Sequence, residues 1–135
     1  MRATVSRVLL AAFFAAAALP VHACPKAEDV RAVELHGLWR AEFEGVSSGA
    51  TLLLEKHPEW VESVAGAINR DGARSLVSGE LETGDFTLEE SADGIHIAAV
   101  WDGAIVDGSC GREIRGTWTR DGETAGRAFR LRKLD

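Results

Sequence analysis

Three kinds of residue in this chain carry groups that chemistry commonly uses: a serine in a glycine-rich run, scattered histidines and a surplus of carboxylates. Gly45-Val46-Ser47-Ser48-Gly49 matches G-x-S-x-G, which in hydrolases is a strained elbow between a strand and a helix. Here Thr51 to Leu54 follows at once with the character of a strand, and the chain is too short for that hydrolase fold. The run therefore reads as a Ser/Gly hairpin loop. His36, His57 and His96 contain no pair four residues apart and have no CxxC beside them. Zinc needs ligands gathered at one point, so solvated or turn positions are expected for all three. The acids form no D-x-D-x-D-G loop for calcium. Glu89-Glu90 beside Asp93 reads as a charged strand end, because paired catalytic carboxylates need a cleft between them. No catalytic residue, metal site or cofactor is expected, and an enzyme ranks last among the functions considered.

Binding groups are easier to find than catalytic ones. Four tryptophans stand against no tyrosine. Trp39, Trp101 and Trp118 each alternate with apolar residues, which places them on inward faces. Core packing is the simpler role. The other is lining a ligand cavity, where the indole N–H would serve as a polar handle. Arg127 shares its parity with Phe129 and Leu131, whereas Arg130 and Arg132 fall on the opposite face and read as guards of a strand edge. The candidate ligand-binding set is Trp39, Trp101, Trp118 and Arg127.

Short strands must position these groups. Asp-Gly, a pair suited to tight hairpin turns, occurs at 71–72, 93–94, 102–103, 107–108 and 121–122, and Thr83-Gly84-Asp85 adds another turn. Between the turns, Trp39/Ala41/Phe43, Ile95/Ile97/Ala99/Trp101, Ile114/Gly116/Trp118 and Arg127/Phe129/Leu131 each share one face, and Thr51–Glu55 is a more uniformly apolar strand. A pattern of apolar, any, Gly, any, apolar recurs at Val64–Ile68, Val77–Leu81 and Ile114–Trp118. Glycine on an inner face permits tight coiling of a strand. Pro58–Ile68 fits either a helix or a strand, and the glycine pattern favours strand from about Val61. Pro25–Glu34 is expected to be a short helix. The fold class is mainly β: a small antiparallel barrel of about eight strands with a short N-terminal helix, an open sandwich being the alternative.

The chain begins with the three parts of a secretory signal. Arg2 and Arg7 precede an apolar run, Val8–Leu19, and Val21-His22-Ala23 offers a cleavage site. Residues 1–23 are thus expected to be a signal peptide and 24–135 a single domain. That domain carries thirteen basic and twenty-one acidic residues, a net charge of −8, which disfavours nucleic acid as a partner. Both cysteines, Cys24 and Cys110, lie in it. In an oxidising compartment they are expected to form a disulfide. Alternatively Cys24, which follows a lipobox-like Val21-His22-Ala23, carries a lipid that anchors the protein in the outer membrane. Localisation is expected to be periplasmic or secreted, with membrane contact only if Cys24 is lipidated.

Glu34-Leu35-His36-Gly37-Leu38-Trp39 resembles the G-x-W opening strand of the calycins, and in particular that of the bacterial periplasmic protease inhibitors of the Omp19-like group. The resemblance implies a barrel entered through a short helical turn, with a basic residue of the last strand packed over the tryptophan. Arg127 is the residue proposed for that last role. Two functions follow as expectations. One is an exported, non-catalytic binding protein that holds a small apolar ligand or an envelope protein. The other is an inhibitor of an exported protease, acting through its N-terminal segment, Cys24 to Ala32.

Overall fold

The computed structural model describes residues 11–19 and 23–135. Residues 1–10 and 20–22 of the expected signal peptide lie outside the described residues; its described part, 11–19 and Ala23, is exposed and without regular secondary structure. Eight strands follow: β1 (Gly37–Phe43), β2 (Ala50–Lys56), β3 (Ser63–Arg70), β4 (Ala73–Glu82), β5 (Asp85–Ser91), β6 (Ala99–Ile105), β7 (Glu113–Arg120) and β8 (Arg127–Lys133). Each pairs antiparallel with the next, and β8 pairs with β1. The barrel is closed, and the open sandwich is excluded.

Period two governs the wall. Trp39, Ala41 and Phe43 point inward from β1, Leu52 and Leu54 from β2, Val64 and Ile68 from β3, and Val77 and Leu81 from β4; all are buried. Arg40, Glu42, Thr87, Glu89, Arg115 and Arg132 point outward and are exposed. Leu38 and Leu76 are apolar exceptions on this outer face. The inward rows of the two sides meet and fill the interior, as eight-stranded barrels allow. Phe43, Trp101, Trp118 and Phe129 form its aromatic centre, with ring centroids 4.8–5.5 Å apart.

The recurrent glycines lie on the inner face, as their parity requires. Gly103 and Gly116 are directly opposite one another on β6 and β7. A methyl group on Gly103 would come within 2.9 Å of the Phe129 ring, and one on Gly116 would overlap the Asp102 carbonyl. Here two strands coil closely and leave room for an aromatic ring.

Several local expectations are corrected. Asp102-Gly103 is not a turn but lies within β6, held there by its pairing with Gly116 and Thr117. Ile95 and Ile97 do not extend β6. They lie in the β5–β6 loop, 80% and 44% exposed. The Asp93 carboxylate accepts the backbone N–H groups of Ile95 and His96, both at 2.8 Å, and so diverts the chain from the ladder. The helix expected over Pro25–Glu34 is two 3-10 turns, Ala27–Asp29 and Ala32–Leu35. Val30 breaks them apart: it is extended and buried against the barrel. The ambiguous segment resolves as a loop followed by strand, β3 starting at Ser63.

Candidate functional site

The two ends of the barrel differ. At the lower end, where β1 begins and β8 ends, the 3-10 turns lie across the opening and bury Val30, Ala32 and Leu35. Trp39 is fully buried there and donates its indole N–H to the Leu35 carbonyl at 2.8 Å. Cys24 and Cys110 are joined by a disulfide, which ties this N-terminal segment to the β6–β7 loop. Lys133 stands opposite Trp39 in the β1–β8 register and donates to the Glu34 carbonyl at 2.6 Å. Burial, followed by the nearby Arg112 charge, pulls its pKa down. The basic residue of the last strand beside Trp39 is therefore Lys133. Arg127 lies six residues earlier, too far along the strand for that role.

The upper end is open. Residues of the β1–β2 and β5–β6 loops and of the adjoining strand ends line a cavity of about 320 Å³ there. Phe43, Ala98, Ala99 and Trp118 supply apolar wall, while Arg70, Arg120 and Arg127 bring cationic groups to the same space. Arg127 is directly opposite Trp118 across the β7–β8 pair, which sets both inward. Its guanidinium donates to the Glu44 carbonyl at 3.3 Å.

Beneath the cavity lies a buried charge network. Glu90 is 2% exposed. Its carboxylate accepts two bonds from Arg70, at 2.8 and 3.0 Å, and the indole N–H groups of Trp101 and Trp118, at 2.8 and 2.6 Å. A forked guanidinium matches a carboxylate in this two-bond geometry. Burial pushes the Glu90 carboxyl upward, but the Arg70 and indole hydrogen bonds outweigh it and hold the group below the ordinary range. The Arg70 guanidinium also lies 5.4 Å from the ring centroids of both Phe43 and Trp118, within reach of a cation–π attraction.

The structure thus brings two of the four candidate residues, Trp118 and Arg127, to the rim of one cavity. Trp101 lies fully buried below it, and Trp39 is at the other end. Sequence reasoning missed Glu90 and Arg70. Glu90 is no solvated strand end like its neighbour Glu89. The signal was available: Phe86 and Leu88 face inward, and two more steps reach Glu90. The same count from Ile68 reaches Arg70, and from Trp118 it reaches Arg120.

The remaining suspects have local duties. His57 Nδ1 accepts the backbone N–H groups of Glu59 and Trp60, each at 3.1 Å. His96 pairs with Asp93 at 2.7 Å in solvent. His36 follows the second 3-10 turn. Ser47 lies in the β1–β2 hairpin loop. Among the described residues no three His, Cys, Asp or Glu side chains gather as metal ligands would. Comparison with protein-family models and with curated proteins finds no match to this chain.

Proposed function

We propose that this chain is an exported, non-catalytic binding protein that holds a small, largely apolar ligand in the open mouth of its barrel. The observation that carries this reading is the contrast within the interior: buried side chains pack the barrel from its closed end up to Trp101, and above them the mouth holds a cavity walled by Phe43, Ala98, Ala99 and Trp118. A concave, mostly apolar site with a few placed polar groups is the usual form of a small-molecule pocket. Among the described residues Glu90 is the one carboxylate in that wall, and its oxygens are occupied by Arg70 and two indoles. It is poorly placed to take a proton from a substrate, which favours binding over catalysis.

The disulfide supports export to an oxidising compartment. It also favours a free protein over a lipid-anchored one, because a lipid thioether would use the Cys24 sulfur. A calycin-like ancestry draws support from the short turn leading into Trp39 and from Lys133 beside it. The protease-inhibitor reading draws less. The segment that would enter a protease cleft is tied down at Cys24 and buries Val30 and Ala32.

Titration of the mature, oxidised protein with small aromatic and short-chain compounds tests this reading through tryptophan fluorescence. A saturable change is expected for at least one class, and Trp118→Phe should remove it. A flat response to the whole series would overturn the proposal.

A further inference from the structure

We infer that the mouth site selects organic anions, above all small carboxylates with an aromatic or short aliphatic body. The inference rests on the ligand-binding reading above and names its ligand class. The protein carries a formal net charge of −6, yet three arginines, Arg70, Arg120 and Arg127, converge on one small cavity. Arg70 is two-thirds buried, and Arg120 and Arg127 stand exposed at the rim, so positive charge is gathered at one opening of an otherwise acidic barrel.

The charges of this cavity do not cancel. Glu90 neutralises Arg70 through the forked pair at 2.8 and 3.0 Å. Among the described residues Arg120 has Glu123 as its carboxylate partner, at 3.9 Å, with both side chains exposed. Among the described residues Arg127 pairs with no carboxylate, and its hydrogen bond is to a backbone carbonyl at 3.3 Å. Arg127, from β8, is therefore uncommitted, and Arg120, from β7, is held by one long, solvent-exposed contact that an anion can displace. The Arg120 guanidinium also lies 5.6 Å from the Trp118 ring centroid. An anionic head placed between these arginines would leave its apolar body against Trp118, Phe43 and Ala99. Guanidinium suits this task, because its planar fork matches a carboxylate in two bonds.

Size narrows the class further. At about 30 Å³ for each water displaced, a cavity of about 320 Å³ holds the equivalent of about ten waters. Such a space accommodates a phenyl ring with a short acid arm.

The test is calorimetric titration of the mature, oxidised protein with phenylacetate, 3-phenylpropanoate and hexanoate, beside the neutral amide of each and phenethylamine. At least one carboxylate should bind tenfold or more tightly than its amide, and the amine should bind least. Arg127→Gln and Arg120→Gln should each weaken that carboxylate about tenfold and leave the amide unchanged. Arg132→Gln, on the outer wall at the far end, removes the same charge and should change neither. Amides or the amine binding as tightly as the carboxylates would overturn the anion class while leaving the binding site intact. Failure of every compound, charged or neutral, would overturn the site itself.

Discussion

The closed and open ends of this barrel are made by one rule with different last residues. Toward the closed end the inward rows finish in Trp39, Leu54, Val64, Leu81, Phe86, Ile105 and Ile114, all buried. Toward the mouth they finish in Phe43, Arg70, Ser75, Glu90, Ala99, Arg120 and Arg127. The first end is sealed by apolar contact, a turn of backbone and a covalent bond. The second substitutes a charged network for the seal and leaves space above it. The apolar core thus occupies the closed end, and the charged network bounds the space at the other.

Changes at the closed end should act on stability and spare the mouth. Trp39→Ala carries the largest effect, about 3–5 kcal/mol lost for a buried aromatic, read from denaturant unfolding. Ligand affinity in the fraction still folded should be unchanged. The paired change Cys24→Ser with Cys110→Ser comes next, at about 3 kcal/mol. It releases a constraint spanning 86 residues, and long closed loops gain most from a crosslink. Its thermal midpoint should fall to that of the reduced wild type; if reduction leaves the midpoint unmoved, the strap across the lower opening does not need its bond.

Glu90→Gln sharpens the contrast from the other side. The amide loses its charge and cannot accept from Arg70 and both indoles at once. A cost of about 2 kcal/mol is expected, smaller than for a fully buried pair because the Arg70 side chain is one-third exposed. The sign with pH follows from the direction of the shift. The Glu90 pKa is depressed by folding, so its contribution is complete above the ordinary glutamate value, about 4.3. That contribution is lost as pH falls further through the folded-state value. The gap in midpoint between wild type and Glu90→Gln should therefore hold from pH 7 to about 5 and narrow below about 4. A gap independent of pH would show that Glu90 contributes through shape and not charge.

Most of the barrel was legible from alternation alone. Faces followed parity in β1, β3, β4, β7 and β8, including the inward turn of Arg127 opposite Trp118. Failures arose where a local signal met a distant partner. Asp102-Gly103 has the composition of a turn, but its conformation is set by Gly116 on the next strand. Ile95 and Ile97 have the alternation of a strand, but Asp93 captures the backbone first. Glu90 was hidden by its neighbour: beside Glu89 it reads as a solvated pair, although alternation separates the two. That four donated hydrogen bonds from Arg70, Trp101 and Trp118 converge on it depends on closure of the barrel, which no short stretch of sequence records.

Seven of the eight strand pairings join neighbours in sequence, and only β1 with β8 unites distant parts of the chain. Hairpins can therefore assemble one after another, and the remaining loop-closure entropy falls on that last seam. The same seam brings the two chain ends of the barrel to one rim, where Leu134 donates its backbone N–H to the Leu38 carbonyl at 2.8 Å. Joining those ends and reopening the chain at Asp71-Gly72 would yield a circular permutant with every pairing retained. Its new termini would lie at the mouth, where a fused reporter could sense whatever enters.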